Sequence, residues 1–211
     1  YVKDPQVGQH KWVMSFDLNS LYPHLIMQYN ISPEMLLPQT MPYNDNTIDE
    51  MLSQQIDLSM LPDAKVARTP NGALFRTKKQ GFLPEMMQEM YNDRTIYKKK
   101  MLTAKQQYED TKDPKFLNDV SRFQNIQMAR KISSNSAYGA IGNEWFRYYD
   151  LKIAEGITTS GQLSIRWIEK ALNGYLNNLL KSEGVDYVIA SDTDSVYIRF
   201  DELVSKVLSK R

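Results

Sequence analysis

Hydrophobic and polar positions along this chain follow two periods. Residues 12–17, WVMSFD, form a short apolar run closed by a carboxylate and predict a buried strand. Asn19 and Ser20 then offer a turn and a helix cap, and LYPHLIMQYN carries apolar residues at helical spacing. From 31 to 64 the periodicity is weak, so a loop is expected, with one short helix near 47–55. TPNG at 69–72 separates VAR from ALFRT and predicts a small hairpin. Pro84 sits in the first turn of a helix over 85–110, where Met86, Met90, Tyr97, Met101 and Tyr108 recur roughly on one side. Asp113 as N-cap and Pro114 at the first helical position start a second helix, which runs to about Tyr138 and is ended by Gly139 and Gly142. Two helices with a short polar break predict an antiparallel hairpin. The aromatic run NEWFRYYD, 143–150, suits a core or a surface packed against backbone. Residues 151–180 read as one long helix with Ile153, Ile157, Leu163, Trp167, Ile168, Ala171, Tyr175 and Leu179 mostly inward, although Gly156, Gly161 and Gly174 weaken its continuity. YVIASDTDSVYI, 187–198, places two β-branched runs around the acidic turn Asp192-Thr193-Asp194, a hairpin pattern. A terminal amphipathic helix follows from about Asp201.

Composition adds little to that outline until it excludes chemistry. The 211 residues are 42% hydrophobic and 24% charged, enough for one sizeable core or two small ones. No apolar run approaches the ~20 residues that span a bilayer, so no membrane partner is expected. The start, YVKDPQVGQHKW, has no initiator Met and no signal-peptide pattern, and reads as the interior of a longer polypeptide. There is no cysteine, and His10 and His24 are the two histidines, so any metal must be held by oxygen, which favours Mg²⁺, Mn²⁺ or Ca²⁺. The net charge of +1 hides a division. Residues 41–64 hold 5 acidic and no basic side chains, whereas residues 65–131 hold 15 basic against 7 acidic. Such a basic segment suits a polyanionic partner, though a lysine-rich solvated helix would look the same.

Three places carry candidate chemistry. Asp192 and Asp194 are one residue apart at the hairpin tip, and carboxylates held close repel unless a cation or a proton lies between them. An isolated acidic turn is more often simply solvated. Asp17 stands at the carboxyl end of a strand, before backbone amides able to bind phosphate; an ordinary strand-end residue has the same signature. Lys131, Asn135 and Tyr138 are spaced four and three apart and share one helix face, as do Arg94 and Lys98 on the preceding helix. A Lys, an Asn and an aromatic ring could bind phosphate and stack on a base, or could line a solvated edge.

SFDLNSLYPHLI at 15–26, KISSNSAYGAIG at 131–142 and ASDTDSVYI at 190–198, in this order, closely resemble the three polymerase motifs of the family B (α-like) DNA polymerases. NISPE at 30–34, TPNG, WFRYYD and the ITT-GQ---WIE pattern over 157–169 resemble the T-even-type bacteriophage members, and the resemblance covers nearly the whole chain. It implies a DNA-directed DNA polymerase core, a nucleotidyltransferase of viral DNA replication. Such a core adds deoxynucleotides to a primer 3′-hydroxyl by a two-metal-ion mechanism with two Mg²⁺, or Mn²⁺ in their place. The catalytic residues it implies are Asp17 and Asp194, with Asp192 a less direct ligand. The metals would meet Asp17, Asp194 and the backbone of Leu18. Nucleotide binding would fall to Ser20, Leu21, Tyr22, Arg94, Lys98, Lys131, Asn135, Tyr138 and Gly139. Tyr22 would pack under the sugar and exclude a 2′-hydroxyl, Lys131 would hold the triphosphate, and Asn135 and Tyr138 would lie against the nascent base pair. One departure is His24, where the first motif usually has Ser; a tuning effect is expected there.

The implied fold class is α+β: a polymerase palm, an antiparallel sheet backed by helices, with an inserted α-helical hairpin as fingers. Residues 1–80 would form the first part of the palm, 81–139 the fingers and 140–211 the second part of the palm. Nothing resembles an exonuclease or a thumb, so a piece of a larger viral replicative enzyme is expected, acting in the bacterial host cytoplasm. Its partners would be primer–template DNA and deoxynucleoside triphosphates, with a sliding clamp reserved for the full-length enzyme. Two rivals remain: a non-catalytic nucleotide- or nucleic-acid-binding piece, and a metal-dependent nuclease, which would have no use for Tyr22 or the Lys131 stripe.

Overall fold

A computed structural model describes residues 1–57, 59, 61–62 and 65–209. The fold is mixed α+β with two antiparallel sheets. In chain order the elements are β1 (Val2–Lys3), β2 (Val13–Asp17), α1 (Leu21–Gln28), a 3-10 turn (Pro33–Met35), β3 (Leu36–Thr40) and α2 (Thr47–Leu52). After them come β4 (Val66–Arg68), β5 (Ala73–Arg76), α3 (Phe82–Thr111), α4 (Lys115–Ile141), α5 (Leu151–Leu180), β6 (Val188–Asp192), β7 (Ser195–Arg199) and α6 (Asp201–Leu208).

The larger sheet has the order β1-β6-β7-β2. The acidic hairpin β6–β7 is therefore central, and β2 pairs antiparallel with β7 so that Asp17 lies opposite Ser195. Val188, Val196 and Ile198 pack with Tyr187 onto Ile165, Leu176 and Leu180 of α5, forming one core. A second core joins Ile26, Ile31, Phe75, Leu83, Met87, Ile141, Ile153 and Ile157. Sheet β3-β5-β4 belongs to this core through Ala73 and Phe75. The predicted hairpin at TPNG is β4–β5, with Gly72 at a φ of 76° and its amide on the Thr69 carbonyl.

Helices α3 and α4 are 30 and 27 residues long and run antiparallel, joined by a three-residue break. Most of their surface is exposed, and Arg130 meets Asp93 at 3.0 Å across the pair. The amino end of α3 is held from a distance. The Asn30 side chain donates to the carbonyls of Arg76 and Lys79 and accepts from the Gly81 amide at 2.9 Å. Glu34 accepts from the Phe82 amide at 2.7 Å, and Ser32 from the Leu83 amide. Burial alone would raise the Glu34 carboxyl, but its bonds from the Ser32 hydroxyl and the Phe82 amide outweigh that and hold it below the ordinary range. The NISPE stretch is thus the cap of α3, supplied some fifty residues earlier in the chain.

Several expectations need correction. The strand at 12–17 is not buried: β2 is an edge strand, and Met14 and Phe16 are 52% and 47% exposed. Its apolar run marks strand propensity rather than core. The hairpin turn is Thr193-Asp194, with Thr193 at a φ of 50°, and Asp192 closes β6. Strand alternation therefore does not put the two carboxylates on one face, because Asp194 lies in the turn. The loop expected over 31–64 contains β3, an edge strand that tolerates Pro38; α2 ends at Leu52, and residues 58, 60, 63 and 64 fall outside the described set. Pro114, not Asp113, occupies the N-cap of α4, although Asp113 accepts from the Lys115 amide at 3.0 Å. Helix α4 passes through Gly139 and ends at Ile141 with Gly142 as its cap. The aromatic run is not core, since Trp145 is 88% exposed. Helix α5 is continuous, but Trp167, Ala171, Tyr175 and Leu179 point outward. The inward line beyond Ile157 runs through Ile165, Leu172, Leu176 and Leu180.

Candidate functional site

A cavity of about 390 Å³ opens where β2, the β6–β7 turn and helices α1, α3 and α4 meet. Its walls include Asp17, Ser20, Leu21, Tyr22, Arg94, Lys131, Asn135, Tyr138 and Asp194. Nine expected residues from four separate stretches are thus brought together. Asp192 and Leu18 lie beside it, Lys98 is exposed one turn farther along α3, and Gly139 is exposed on α4; none of these four lines it. A Cβ at Gly139 would meet nothing within 4 Å. Asn19 and Thr193 do line the cavity and were not expected. Their adjacency to Asp17, Ser20 and Asp194 was the available signal.

The carboxylate end is fixed by backbone. The Leu18 amide donates to the Asp194 carbonyl at 2.8 Å, which pins the end of β2 to the hairpin turn. Burial, then the charge of Asp17, then that of Asp192 push the Asp194 carboxyl above its ordinary range. Burial is the larger cause, and the Asp17 and Asp192 charges add to it, so a cation beside Asp194 would relieve that repulsion. The side-chain donors there are carboxylate oxygens, the hard ligands that Mg²⁺ and Mn²⁺ prefer. Among the described residues no three His, Asp or Glu side chains form a metal-holding cluster. The donor set fits a cation that takes its remaining ligands from backbone, water or substrate.

The opposite wall is cationic and aromatic. Ser20 is the N-cap residue of α1 at a φ of 55°, yet it makes no side-chain cap bond. Its hydroxyl instead accepts from Arg94 Nη1 at 2.8 Å. The Leu21 and Tyr22 amides at the start of α1 thus receive no cap from the Ser20 side chain, and Pro23 has no amide hydrogen to satisfy. Arg94 Nε is buried without a partner, a cost an anion in the cavity would remove. Tyr22 and Tyr138 stand with ring centroids 4.5 Å apart. Burial, followed by Tyr138 and Asp194, raises the Tyr22 hydroxyl, so it remains a neutral phenol. The Asp93–Arg130 pair holds α3 and α4 in register immediately beside Arg94 and Lys131.

The model of DNA polymerase family B matches residues 1–208. The DNA-directed DNA polymerase of Escherichia phage RB69 is 34% identical over 98% of this chain, and that of Enterobacteria phage T4 is 32% identical over 98%. The chain spans 27% of the length of each. Among solved structures, the family B DNA polymerase of the hyperthermophilic archaeon Pyrobaculum calidifontis matches with a TM-score of 0.52 at 23% identity, covering 100% of this chain and 23% of that one. At that identity the likeness bears on the fold alone.

Proposed function

The chain belongs to DNA polymerase family B, and from that premise we propose that it carries the nucleotidyl-transfer site of a DNA-directed DNA polymerase. The observation that carries the reading is the single cavity that faces Asp17 and Asp194 with Arg94, Lys131 and the free amino end of α1. A triphosphate fits that polarity. Its tail would lie on the α1 amides and the two cations, and its α-phosphate would point toward the carboxylates.

Asp17 and Asp194, with the Leu18 carbonyl, would hold two divalent ions, Mg²⁺ or Mn²⁺. Bound there, such ions lower the pKa of a primer 3′-hydroxyl and neutralise charge on the departing pyrophosphate. Arg94 orients the triphosphate through its planar fork, and Lys131 acts as a point charge. Tyr22, whose ring lies against Tyr138, would form the floor under the sugar and exclude a 2′-hydroxyl. Asn135 and Tyr138 meet the incoming base. Asp192 and Lys98 act from outside the cavity, Asp192 through its charge on Asp194 and Lys98 on phosphate as the helices close. On this reading α3–α4 is the fingers, the residues before and after it are the palm, and primer–template DNA and deoxynucleoside triphosphates are the substrates. A phage protein of the bacterial cytoplasm, with a clamp for the full-length enzyme, completes the proposal. No described helix is long and apolar enough to cross a membrane.

The test is extension of a labelled primer by this chain with Mg²⁺ and four deoxynucleotides, beside Asp17→Ala. Template-directed extension lost in the variant supports the reading. Equal extension by both refutes the metal assignment, and nucleotide binding with no extension by either favours the non-catalytic alternative.

A further inference from the structure

The residue that departs from the usual first motif closes a circuit of contacts behind the Ser20–Arg94 wall of the cavity. His24 Nδ1 lies 2.9 Å from the Ser20 carbonyl oxygen. A carbonyl only accepts, so Nδ1 carries a proton in this contact. The other face of the circuit is α3. The His24 ring stands edge-on to Tyr91, centroids 4.6 Å apart at 80°. Tyr91 and Arg94 are three residues apart on one side of α3, and Arg94 returns to the Ser20 hydroxyl at 2.8 Å. Ser20 itself sits in the left-handed region at a φ of 55°, a conformation that a residue other than Gly keeps only when neighbours hold it.

We infer that His24 is a positioning residue for the triphosphate. Its Nδ1–H joins the His24 amide on the Ser20 carbonyl and steadies the Ser20 peptide, and Ser20 in turn receives Arg94; the edge contact with Tyr91 seats the ring. The α1 amides and the Arg94 guanidinium are thus held ready on the same side of the cavity. The inference rests on the reading of the cavity as a nucleotide site.

Two substitutions separate donor from ring. His24→Asn keeps a donor where Nδ1 stands and loses the ring; His24→Phe keeps the ring and loses the donor. The readout is equilibrium affinity for dATP with Mg²⁺ on a dideoxy-terminated primer–template, with thermal melting as the control for folding. His24→Phe is expected to weaken dATP binding about three- to tenfold with an unchanged melting temperature, and His24→Asn to stay within about twofold of the wild type. His24→Leu, also without a donor, serves in the same way if the Phe variant folds poorly. Wild-type affinity in both donorless variants overturns the inference, as does an Asn variant as weak as Phe. Lys131→Ala in parallel tests the premise: if it too binds like the wild type, the nucleotide-site reading itself fails and the inference falls with it.

Discussion

Replacing Asp194 by Asn should make the metal-free protein more stable, although the residue is the proposed centre of the chemistry. The fold raises the Asp194 carboxyl, through burial and the charges of Asp17 and Asp192. A carboxyl raised by the fold is less at ease ionised in the native state than in the unfolded chain. Its cost is fully present at pH values above the raised folded value. It falls as the pH drops through that value and vanishes below the ordinary carboxylate value of about 4. Asp194 is only half-buried, so water screens much of the repulsion, and a gain of about 0.2–1 kcal/mol is the expected scale. For a chain of this size that corresponds to a rise in melting temperature of about 0.5–4 °C at pH 7. The assay is thermal melting of wild type and variant at pH 7 and near pH 3.5, with and without Mg²⁺. The stability gain should shrink at the lower pH. Mg²⁺ at pH 7 should raise the wild type and leave the variant nearly unmoved, because the ion binds the folded state through the carboxylate that the variant lacks. A variant destabilised at pH 7 without metal would refute the electrostatic reasoning. Equal stabilisation of both proteins by Mg²⁺ would remove Asp194 from the metal site.

Other consequences are open to measurement. Tyr22→Ala should cut the preference for deoxy- over ribonucleotides by about tenfold or more, read as the ratio of kcat/KM values; unchanged selectivity would remove Tyr22 from beneath the sugar. Lys131→Ala should raise the KM for nucleotide about tenfold to a hundredfold and leave primer–template affinity intact, and the reverse pattern would place Lys131 on the template instead. Asn30→Ala should cost about 2–4 kcal/mol in urea denaturation, because it strands two carbonyls and the Gly81 amide and forces Ala into a left-handed backbone; a loss under 1 kcal/mol would mean that α3 needs no outside cap.

What could be read from the chain, and what could not, divides by the range of the forces involved. Helical and strand periods are local, and they placed α1, α3, α4, α5 and both hairpins close to where they lie. Burial is not local. WVMSFD has the composition of a core strand, yet its place at the sheet edge leaves Met14 and Phe16 exposed. The stripe assigned to α5 follows its aromatic residues, but Trp167 and Tyr175 are 61% and 64% exposed. The helix turns its smaller aliphatic side to the sheet because Ile165, Leu176 and Leu180 fit against Val188 and Ile198. The proposed site residues Asp17, Tyr22, Lys131 and Asp194 each sit within a recognisable string. Their mutual geometry was not legible, because it depends on Leu18 meeting the Asp194 carbonyl and on Asn30, Ser32 and Glu34 reaching the start of α3.

That division also explains the glycines that made α5 look discontinuous. Glycine in a helix costs about 1 kcal/mol relative to Ala, and α5 contains three. Two of them have close neighbours. A Cβ on Gly156 would come within 3.3 Å of the Thr69 hydroxyl, and one on Gly161 would touch Leu21, Tyr22 and Leu25 of α1. Helix α5 runs through both cores, with Ile153 and Ile157 in the one beneath α1 and Ile165 and Leu176 in the one beneath the acidic hairpin. The cations and the tyrosines are anchored to the first core, and the carboxylates to the second. The distance across the cavity therefore depends on how α1 lies on α5, where Gly161 faces Leu21, Tyr22 and Leu25 with room for ordinary contact. Helix α5 thus joins two separately packed halves, and of its three glycines it is Gly156, where a Cβ would crowd Thr69, that relieves a close approach.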